Sequence, residues 1–194
     1  MKKVLGFLLI IVVVLAIVIA TRPATYRVER STTITAPSDV VYANLVDFHR
    51  WGSWSPWEKL DPQMTRSYSG ADSGVGAQYA WTGNDKVGEG RMTITEAALD
   101  QLVAIRLEFL KPWKSTSTAH FTLATEGDHT KVTWSMDGTH DSMGKAMSLV
   151  MNMDKMIGGD FEKGLANLKS VSEAQAAAAD SAAADSAAVQ ATIP

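Results

Sequence analysis

The sequence has 194 residues, a formal net charge of -3 and no cysteine. This charge shows no basic excess of the kind that nucleic-acid-binding proteins use, so we expect no nucleic-acid partner. The lack of cysteine excludes thiol catalysis, disulfide bonds and cysteine-ligated zinc.

The chain begins with a long apolar run, MKKVLGFLLIIVVVLAIVIATR. The part from Val4 to Ala20 carries no charge, and a bilayer core about 30 Å thick needs roughly 17 to 25 apolar residues in a helix. The alternative is a cleaved secretory signal, with Lys2 and Lys3 as its basic start and a small-residue cleavage site at residues 18–20. Signal apolar regions usually have about 7 to 15 residues, so the length favours a retained anchor.

The charges beside this run predict its orientation. Lys2 and Lys3 hold the amino end in the cytoplasm under the positive-inside rule, although Arg22, Arg27 and Arg30 on the other flank weaken the asymmetry. We therefore expect residues 1–25 to be a single-pass membrane anchor with a short linker. The rest of the chain then lies outside the cytoplasm, in the periplasm or another extracytoplasmic space.

The next segments predict a strand and a helix. The run YRVERSTTITA, which begins at Tyr26, is rich in β-branched residues and alternates loosely, as strands do. Residues 37–39 then start a helix whose apolar positions follow a helical period. The stretch DFHRWGSWSPWEKLDP follows, with a tryptophan at every third position. Gly52 and Pro56 argue against a regular helix through it.

Six short alternating segments come next: MTRSYSGA, GAQYAWTG, VGEGRMTITEA, QLVAIRLEFL, STSTAHFTLAT and HTKVTWSMDG. In the fourth segment every second residue from Val103 to Phe109 is apolar, while Arg106 and Glu108 fall on the opposite face. This alternation predicts an antiparallel sheet with one face in water.

The last predicted element is one amphipathic helix from about Ser142 to Val171, whose apolar residues step by three and four. It would be about 45 Å long at 1.5 Å per residue, which is enough to cross a whole sheet. Gly158 and Gly159 indicate a bend or a close backbone approach within it. A sheet curved around this helix would cover every apolar face with a single core.

Residues 172–194 form an alanine-rich tail, SEAQAAAADSAAADSAAVQATIP. The tail has no large apolar side chain before Val189, so it has nothing to bury against the domain. We expect it to lack fixed structure or to form a frayed helix, because burial does not offset its ordering entropy.

Several strings together resemble one known family. They are ERSTTITAPSDVVYANLVDFHRWGSWSPWEKLDP, YSGADSGVGAQYAWTGN, VGEGRMTIT, TKVTWSMDG and MNMDKMIGGDFEKGLANLK. The set is similar to the polyketide cyclase/dehydrase-type branch of the START-like, or SRPBCC, superfamily over residues 26–171. The resemblance implies an α+β helix-grip fold, in which a seven-stranded curved antiparallel sheet surrounds the long C-terminal helix. It also implies a cavity for an apolar ligand.

We expect inward-facing aromatic residues and two methionines of the last helix to line this cavity. The predicted ligand-binding residues are Trp51, Trp54, Trp57, Tyr79, Trp81, Phe109, Phe121, Trp134, Met147, Met151 and Phe161. The three clustered tryptophans either plug one end of the sheet as core or stack on a ligand at the mouth. We expect Trp51 to be core and Trp54 or Trp57 to lie at the mouth. Five of the nine methionines fall on the last helix, either as packing or as an adaptable wall.

The sequence shows no catalytic constellation. A nucleophile elbow, a phosphate-binding loop, a dinucleotide-binding glycine pattern and a zinc-helix motif are all lacking. His49, beside the tryptophans, fits a surface or structural role better than that of a general base. Asp137 and Asp141 in DGTHD lack the spacing of metal ligands. We expect no catalytic residue, no metal and no cofactor.

These observations favour a membrane-tethered domain that binds a small hydrophobic molecule, such as a lipid, an isoprenoid or a polyketide-like compound. One alternative is a cyclase, dehydratase or hydrolase that acts on an apolar substrate, which would need a buried ionisable side chain with a perturbed pKa. Another is a ligand-free interaction protein of the cell envelope with a filled barrel. The sequence does not identify a protein partner.

Overall fold

The computed structural model describes residues 2–140, 142–149 and 151–191. Its helices are α1 (Lys2–Thr21), α2 (Ser38–Val46), α3 (Ser142–Met147) and α4 (Met153–Ala191), with two short 3-10 helices at Phe48–Ser53 and Pro56–Lys59. Its strands are β1 (Thr25–Ile34), β2 (Thr65–Gly70), β3 (Ala77–Thr82), β4 (Glu89–Ala98), β5 (Leu102–Lys111), β6 (Ser115–Glu126) and β7 (His129–Thr139).

The strands form one seven-stranded sheet in the order β1-β7-β6-β5-β4-β3-β2, and each neighbouring pair is antiparallel. Strands β2 to β7 follow one another as hairpins, so each finds its partner locally. β1 instead pairs with β7, from Thr25 opposite Thr139 to Ile34 opposite Thr130. Helix α2 and the two 3-10 helices carry the chain from β1 at one side of the sheet to β2 at the other.

The core lies between the inner face of the sheet and α4. Val103 and Ile105 of β5 are fully buried, as the alternating pattern predicts, and Arg106 is exposed. From α4, Phe161, Leu165 and Leu168 meet this face with at most 2% of their surface exposed. The helix-grip architecture expected from the sequence is thereby confirmed.

An arginine of β1 ties α4 to the sheet at Gly158. Arg30 donates to Asp154 through Nη1 and to Glu162 through Nε, each at 2.7 Å, and its guanidinium lies directly over Gly158. The hydrogen bond from Arg30 also lowers the pKa of the Asp154 carboxyl. A Cβ at residue 158 would collide with this guanidinium, so the expected close approach is confirmed there, whereas Gly159 faces open space.

The predicted single helix over 142–171 is wrong, because α3 ends at Met147 and α4 begins only at Met153. Asn152 explains the restart. Its side-chain oxygen accepts a hydrogen bond from the backbone N–H of Lys155 at 3.1 Å, which is the geometry of an N-cap. Asp154 in the first turn adds a favourable charge at the helix start. Met147 and Met151 therefore leave the helical face that the periodicity assigns to them.

The alanine-rich tail is helical in the described residues, since α4 continues to Ala191. Alanine has the highest helix propensity, and here it extends a helix that packing has already nucleated. Ser172 is fully buried, and Asn44 Nδ2 donates to Ser172 Oγ and to Gln175 Oε1. Ala176 packs against the core. The packed contacts thus extend beyond residue 171, and described side chains from residue 177 onward are exposed.

We predict that the two ways of shortening this helix differ in their effect. A chain that ends at Ala176 should melt within about 2 °C of the full chain, because the described side chains among the residues removed are exposed. A chain that ends at Val171 leaves Asn44 without two partners, which costs about 1 to 3 kcal/mol. At about 2 to 4 °C per kcal/mol for a domain of this size, the drop is readily measured by circular dichroism. Equal melting of the two truncated chains would contradict this assignment.

Candidate functional site

A cavity of about 190 Å³ lies between the inner face of the sheet, the second 3-10 helix and the first turns of α4. Strands β3 to β7 all contribute side chains to its wall. Those side chains are mostly aromatic or aliphatic, and among the described residues the charged ones at the wall are Glu58 and Lys86. Such a wall excludes water from an apolar occupant and offers few polar contacts to orient it.

The structure sorts the predicted ligand-binding residues into three groups. Seven line the cavity: Trp51, Trp57, Tyr79, Trp81, Phe109, Trp134 and Phe161. Trp54 and Phe121 are fully buried in the core behind the wall. Met147 and Met151 lie outside the cavity and are 42% and 38% exposed, because the chain leaves the helix between α3 and α4.

The first two clustered tryptophans are fixed by the end of helix α2. Trp51 Nε1 donates to the backbone oxygen of Leu45 at 3.2 Å, and Trp54 Nε1 donates to that of Asn44 at 3.1 Å. Carbonyl groups in the last turn of a helix lack intrahelical partners, so these indoles satisfy two of them. The need of these carbonyl groups for hydrogen-bond donors explains why two tryptophans lie in this irregular segment.

Trp57 has a different environment from its two neighbours. It is half-buried, lines the cavity, and meets Trp134 and Phe161 edge to face, with ring centroids 5.5 and 6.2 Å apart. Trp51 is 4% exposed and also borders the cavity, whereas Trp54 is completely enclosed. In this structure Trp57 is the member of the cluster that a ligand could both touch and cover.

Trp134 of β7 lies flat on Phe161 of α4, with ring centroids 4.0 Å apart and planes 7° apart. Gly164 makes room for this indole, since a Cβ there would lie 2.7 Å from Trp134 Cζ3. The indole N–H of Trp134 is buried and has no hydrogen-bond partner among the residues that the structure describes. A buried donor without a partner costs about 1 to 3 kcal/mol, so an acceptor atom on a ligand would relieve this cost if it reached the indole.

A polar cluster at the cavity wall joins Glu58 to Tyr79 and Arg66. Tyr79 Oη donates to Glu58 Oε1 at 2.6 Å, and Arg66 Nε donates to Glu58 Oε2 at 2.6 Å. Burial, together with the hydrogen bond to Glu58, raises the pKa of Tyr79 well above its usual value. Tyr79 therefore remains a neutral phenol at physiological pH, and both Glu58 oxygens accept from protein donors.

Some residues of the wall were not predicted as ligand contacts: Ser55, Glu58, Met64, Lys86, Val87, Met92, Ile105, Leu107, Ala119, Met136 and Ile157. Ile105 and Leu107 belong to an inward set that alternation identifies, so their position could have been deduced. Lys86 and Val87 lie in the loop between β3 and β4, which Trp81 Nε1 holds by donating to the backbone oxygen of Val87 at 2.9 Å. Nothing local in the sequence indicates that contact.

The other candidate polar residues lie outside the cavity wall. His49 stacks on Tyr68 with ring centroids 4.2 Å apart, and its side chain is 55% exposed. Asp137 pairs with Arg27 on the surface, and Asp141 lies outside the described residues. Within residues 2–140, 142–149 and 151–191, no group of three histidine, aspartate or glutamate side chains is placed to hold a metal ion.

The sequence matches the family model for polyketide cyclase / dehydrase and lipid transport over residues 25–173. The chain belongs to this family. Its resemblance to the START-like, or SRPBCC, superfamily is thereby confirmed. A search of curated proteins gave no match.

Solved structures show the same fold. The solution structure of the Aha1 dimer from Colwellia psychrerythraea is similar with a TM-score of 0.56 at 17% identity, over 76% of this chain and 96% of that one. Protein CV1439 from Chromobacterium violaceum gives 0.55 at 15% identity, over 78% and 99% of the two chains. Ginseng major latex-like protein 151 from Panax ginseng gives 0.53 at 15% identity, over 79% and 99%.

Helix α1 is long and apolar enough to cross a membrane. Lys3–Thr21 has a mean hydropathy of 3.3 in its most apolar window, and none of that window is buried in the structure. A membrane anchor and a signal sequence both have this character.

We predict that Trp54→Ala and Trp57→Ala separate core packing from ligand contact. Truncating the fully buried Trp54 should lower the free energy of unfolding by about 3 to 5 kcal/mol. Truncating the half-buried Trp57 should cost clearly less and instead weaken binding of a hydrophobic probe, since stacking contributes about 0.5 to 1.5 kcal/mol beyond burial. Denaturant midpoints and probe titrations measure both effects. If Trp57→Ala loses as much stability as Trp54→Ala, and the folded Trp57→Ala protein binds the probe as the unaltered chain does, Trp57 is not a ligand contact.

Proposed function

We propose that this protein is a membrane-tethered binding domain for a small hydrophobic molecule held between the sheet and α4. The observation that carries the proposal is the cavity of about 190 Å³ with its aromatic wall. Ligand sites in proteins are concave and mostly apolar, with a few placed polar groups, and this cavity has that character. Membership of a family described as polyketide cyclase / dehydrase and lipid transport supports the same class of ligand.

The size of the cavity limits what it holds. At about 190 Å³ it is smaller than the roughly 300 to 1,000 Å³ of common ligand pockets, and it is closer to an engineered cavity of about 150 Å³ that binds benzene. A compact ring or a short branched isoprenoid unit fits this volume better than a whole lipid. Met64, Met92 and Met136 line the wall, and methionine side chains change rotamer readily, so the space can widen around a longer molecule.

Helix α1 gives the binding domain a source of hydrophobic ligand. As a retained anchor with Lys2 and Lys3 on the cytoplasmic side, it holds the domain outside the cytoplasm at the bilayer surface. A pocket fixed at a membrane meets amphiphiles at a far higher local concentration than free diffusion in water provides. An anchored binding protein therefore does not need a wide opening or a high intrinsic affinity to be loaded.

The enzyme alternative rests on the polar cluster at the wall. Glu58 has only 10% of its side chain exposed, which is the setting in which catalytic carboxylates occur. However, Arg66 and Tyr79 each donate a short hydrogen bond to one of its two oxygens, so the carboxylate is fixed in place and part of its capacity to accept hydrogen bonds is already used. The cluster is better suited to hold the wall and to present a fixed polar edge to a ligand, so binding is the preferred function.

We predict that filling the cavity abolishes binding without unfolding the domain. Ala119→Leu adds three carbon atoms at the wall, where free space can receive them, so stability should be kept while probe affinity falls at least about tenfold, or 1.4 kcal/mol. Ala77→Leu is the matched control, since Ala77 is equally small and 2% exposed but does not border the cavity. Overpacking there should cost about 1 to 3 kcal/mol.

The measurement is energy transfer from the tryptophans to 1-aminoanthracene, with the full chain in mild detergent. Energy transfer reports probe that is close to the tryptophans, and because the micelle around α1 is the same in every variant, the difference between Ala119→Leu and Ala77→Leu isolates the probe bound in the cavity. Folded Ala119→Leu protein that binds the probe as the unaltered chain does would overturn the proposed site.

A further inference from the structure

The antiparallel register brings several chain segments to one rim of the sheet, formed by the ends of the strands on the side where the anchor helix enters. Thr25 at the start of β1 lies opposite Thr139 at the end of β7. Farther along the same rim, the start of β6 at Ser115 pairs with the end of β5, and Lys111 of β5 pairs with Glu89 at the start of β4. We call this the anchor edge. The turn between β5 and β6 and the loop between β3 and β4 both project from it.

The linker keeps the anchor edge close to the end of α1. Helix α1 ends at Thr21 and β1 begins at Thr25, so the connecting chain can reach at most roughly 15 Å. The backbone N–H of His140 also donates to the backbone oxygen of Ala24 at 2.7 Å, which fixes the linker to the end of β7. Helix α3, which follows β7, contacts α1. If α1 spans a bilayer, the anchor edge faces that bilayer at close range.

The anchor edge carries the most exposed tryptophan of the protein. Trp113, in the turn between β5 and β6, is 79% exposed, whereas the other five tryptophans are buried or half-buried. Leu110 beside it is 39% exposed. Tryptophan is enriched where membrane and water meet, because its large apolar ring enters the headgroup layer while its N–H stays hydrated. A protruding indole at this place fits such a surface.

Exposed methionines add apolar surface on the same side. Met147 of α3 and Met151 in the break between α3 and α4 are 42% and 38% exposed. They belong to the segment that follows the end of β7 and includes the α3 contact with α1. Their flexible side chains can adapt to the irregular packing of lipid chains and headgroups.

The charges around Trp113 suit an anionic lipid surface. Lys111 and Lys114 flank the turn, and Lys86 projects from the neighbouring loop. Lys111 is paired with Glu89 at 2.6 Å, while Lys114 forms no ion pair with any described residue. Asp85 lies in the same loop as Lys86 and offsets part of its charge. A lysine near an anionic lipid surface contributes about 1 kcal/mol of attraction.

We propose that the anchor edge docks on the bilayer that α1 enters, with Trp113 and the exposed methionines at the level of the lipid headgroups. The proposal rests on the tether in the proposed function and adds a second, peripheral contact with the membrane. The cavity wall includes Lys86, Val87, Phe109 and Ile157, which lie near this edge. Docking therefore lets the cavity exchange its ligand directly with lipid instead of through water.

The test uses the full chain in vesicles of phosphatidylcholine and phosphatidylglycerol. Because the protein has no cysteine, Lys114→Cys gives one labelling site beside Trp113 for the fluorophore bimane. Leu99→Cys is the matched control. Leu99 is 71% exposed in the turn between β4 and β5, at the opposite ends of the strands. Brominated acyl chains quench a label in lipid, and iodide quenches a label in water.

We expect brominated lipids to quench the label at residue 114 and to leave the label at residue 99 unaffected. Iodide should quench the label at residue 99 and leave the label at residue 114 unaffected. Adding Trp113→Ala should return most of the fluorescence that residue 114 loses to brominated lipid. If both labels respond only to iodide while the chain floats with the vesicles, the docking is wrong and the tether stands. Protection of residue 114 from iodide without lipid quenching would assign the edge to a second copy or another protein. A chain that does not float would overturn tether and docking together.

Discussion

The ring of Trp134 holds together the three parts of the structure on which the cavity depends. It stacks on Phe161 of α4 at 4.0 Å, meets Phe121 of β6 at 4.7 Å, and contacts Trp54 and Trp57 at 5.8 and 5.5 Å. Sheet, helix and tryptophan segment therefore share one aromatic centre. Because rings are rigid and meet at fixed angles, they cannot collapse into the neighbouring space as aliphatic chains would, and the cavity stays open beside them.

An open apolar cavity lowers the stability of the domain, so its presence in the structure needs an explanation. At about 24 cal/mol per Å³, a cavity of about 190 Å³ that stays unfilled costs on the order of 4 to 5 kcal/mol, a large part of the 5 to 15 kcal/mol that stabilises a typical domain. Larger side chains at Ala119 or Leu107 would remove this cost. The unpartnered N–H of Trp134 adds to it. A ligand that fills the space and accepts from this N–H would recover both terms, so the domain should be more stable when loaded.

The fold could be predicted from the sequence largely because burial imposes a period of two on each strand, as Val103 and Ile105 show. The cavity could be predicted less well, because its wall depends on contacts between distant segments. Alternation placed Phe109 and Trp134 correctly, but helical periodicity misplaced Met147 and Met151, since the cap at Asn152 outweighs it. Trp54, unlike Trp57, donates its indole N–H to a carbonyl group at the end of α2, which holds it in the core. Glu58 is held at the wall by hydrogen bonds from Tyr79 and Arg66. The partners of Trp54 and Glu58 are not close in sequence to the residues that they hold.

The central claim is that a hydrophobic molecule occupies the space between the sheet and α4. Native mass spectrometry of the full chain, purified in mild detergent from its own membranes beside the Ala119→Leu variant, tests it most directly. The account predicts that the unaltered protein carries a bound compound of discrete mass, which extraction identifies as hydrophobic, and that the folded variant carries none. The same bound compound on both proteins, or no bound compound on either, would contradict it.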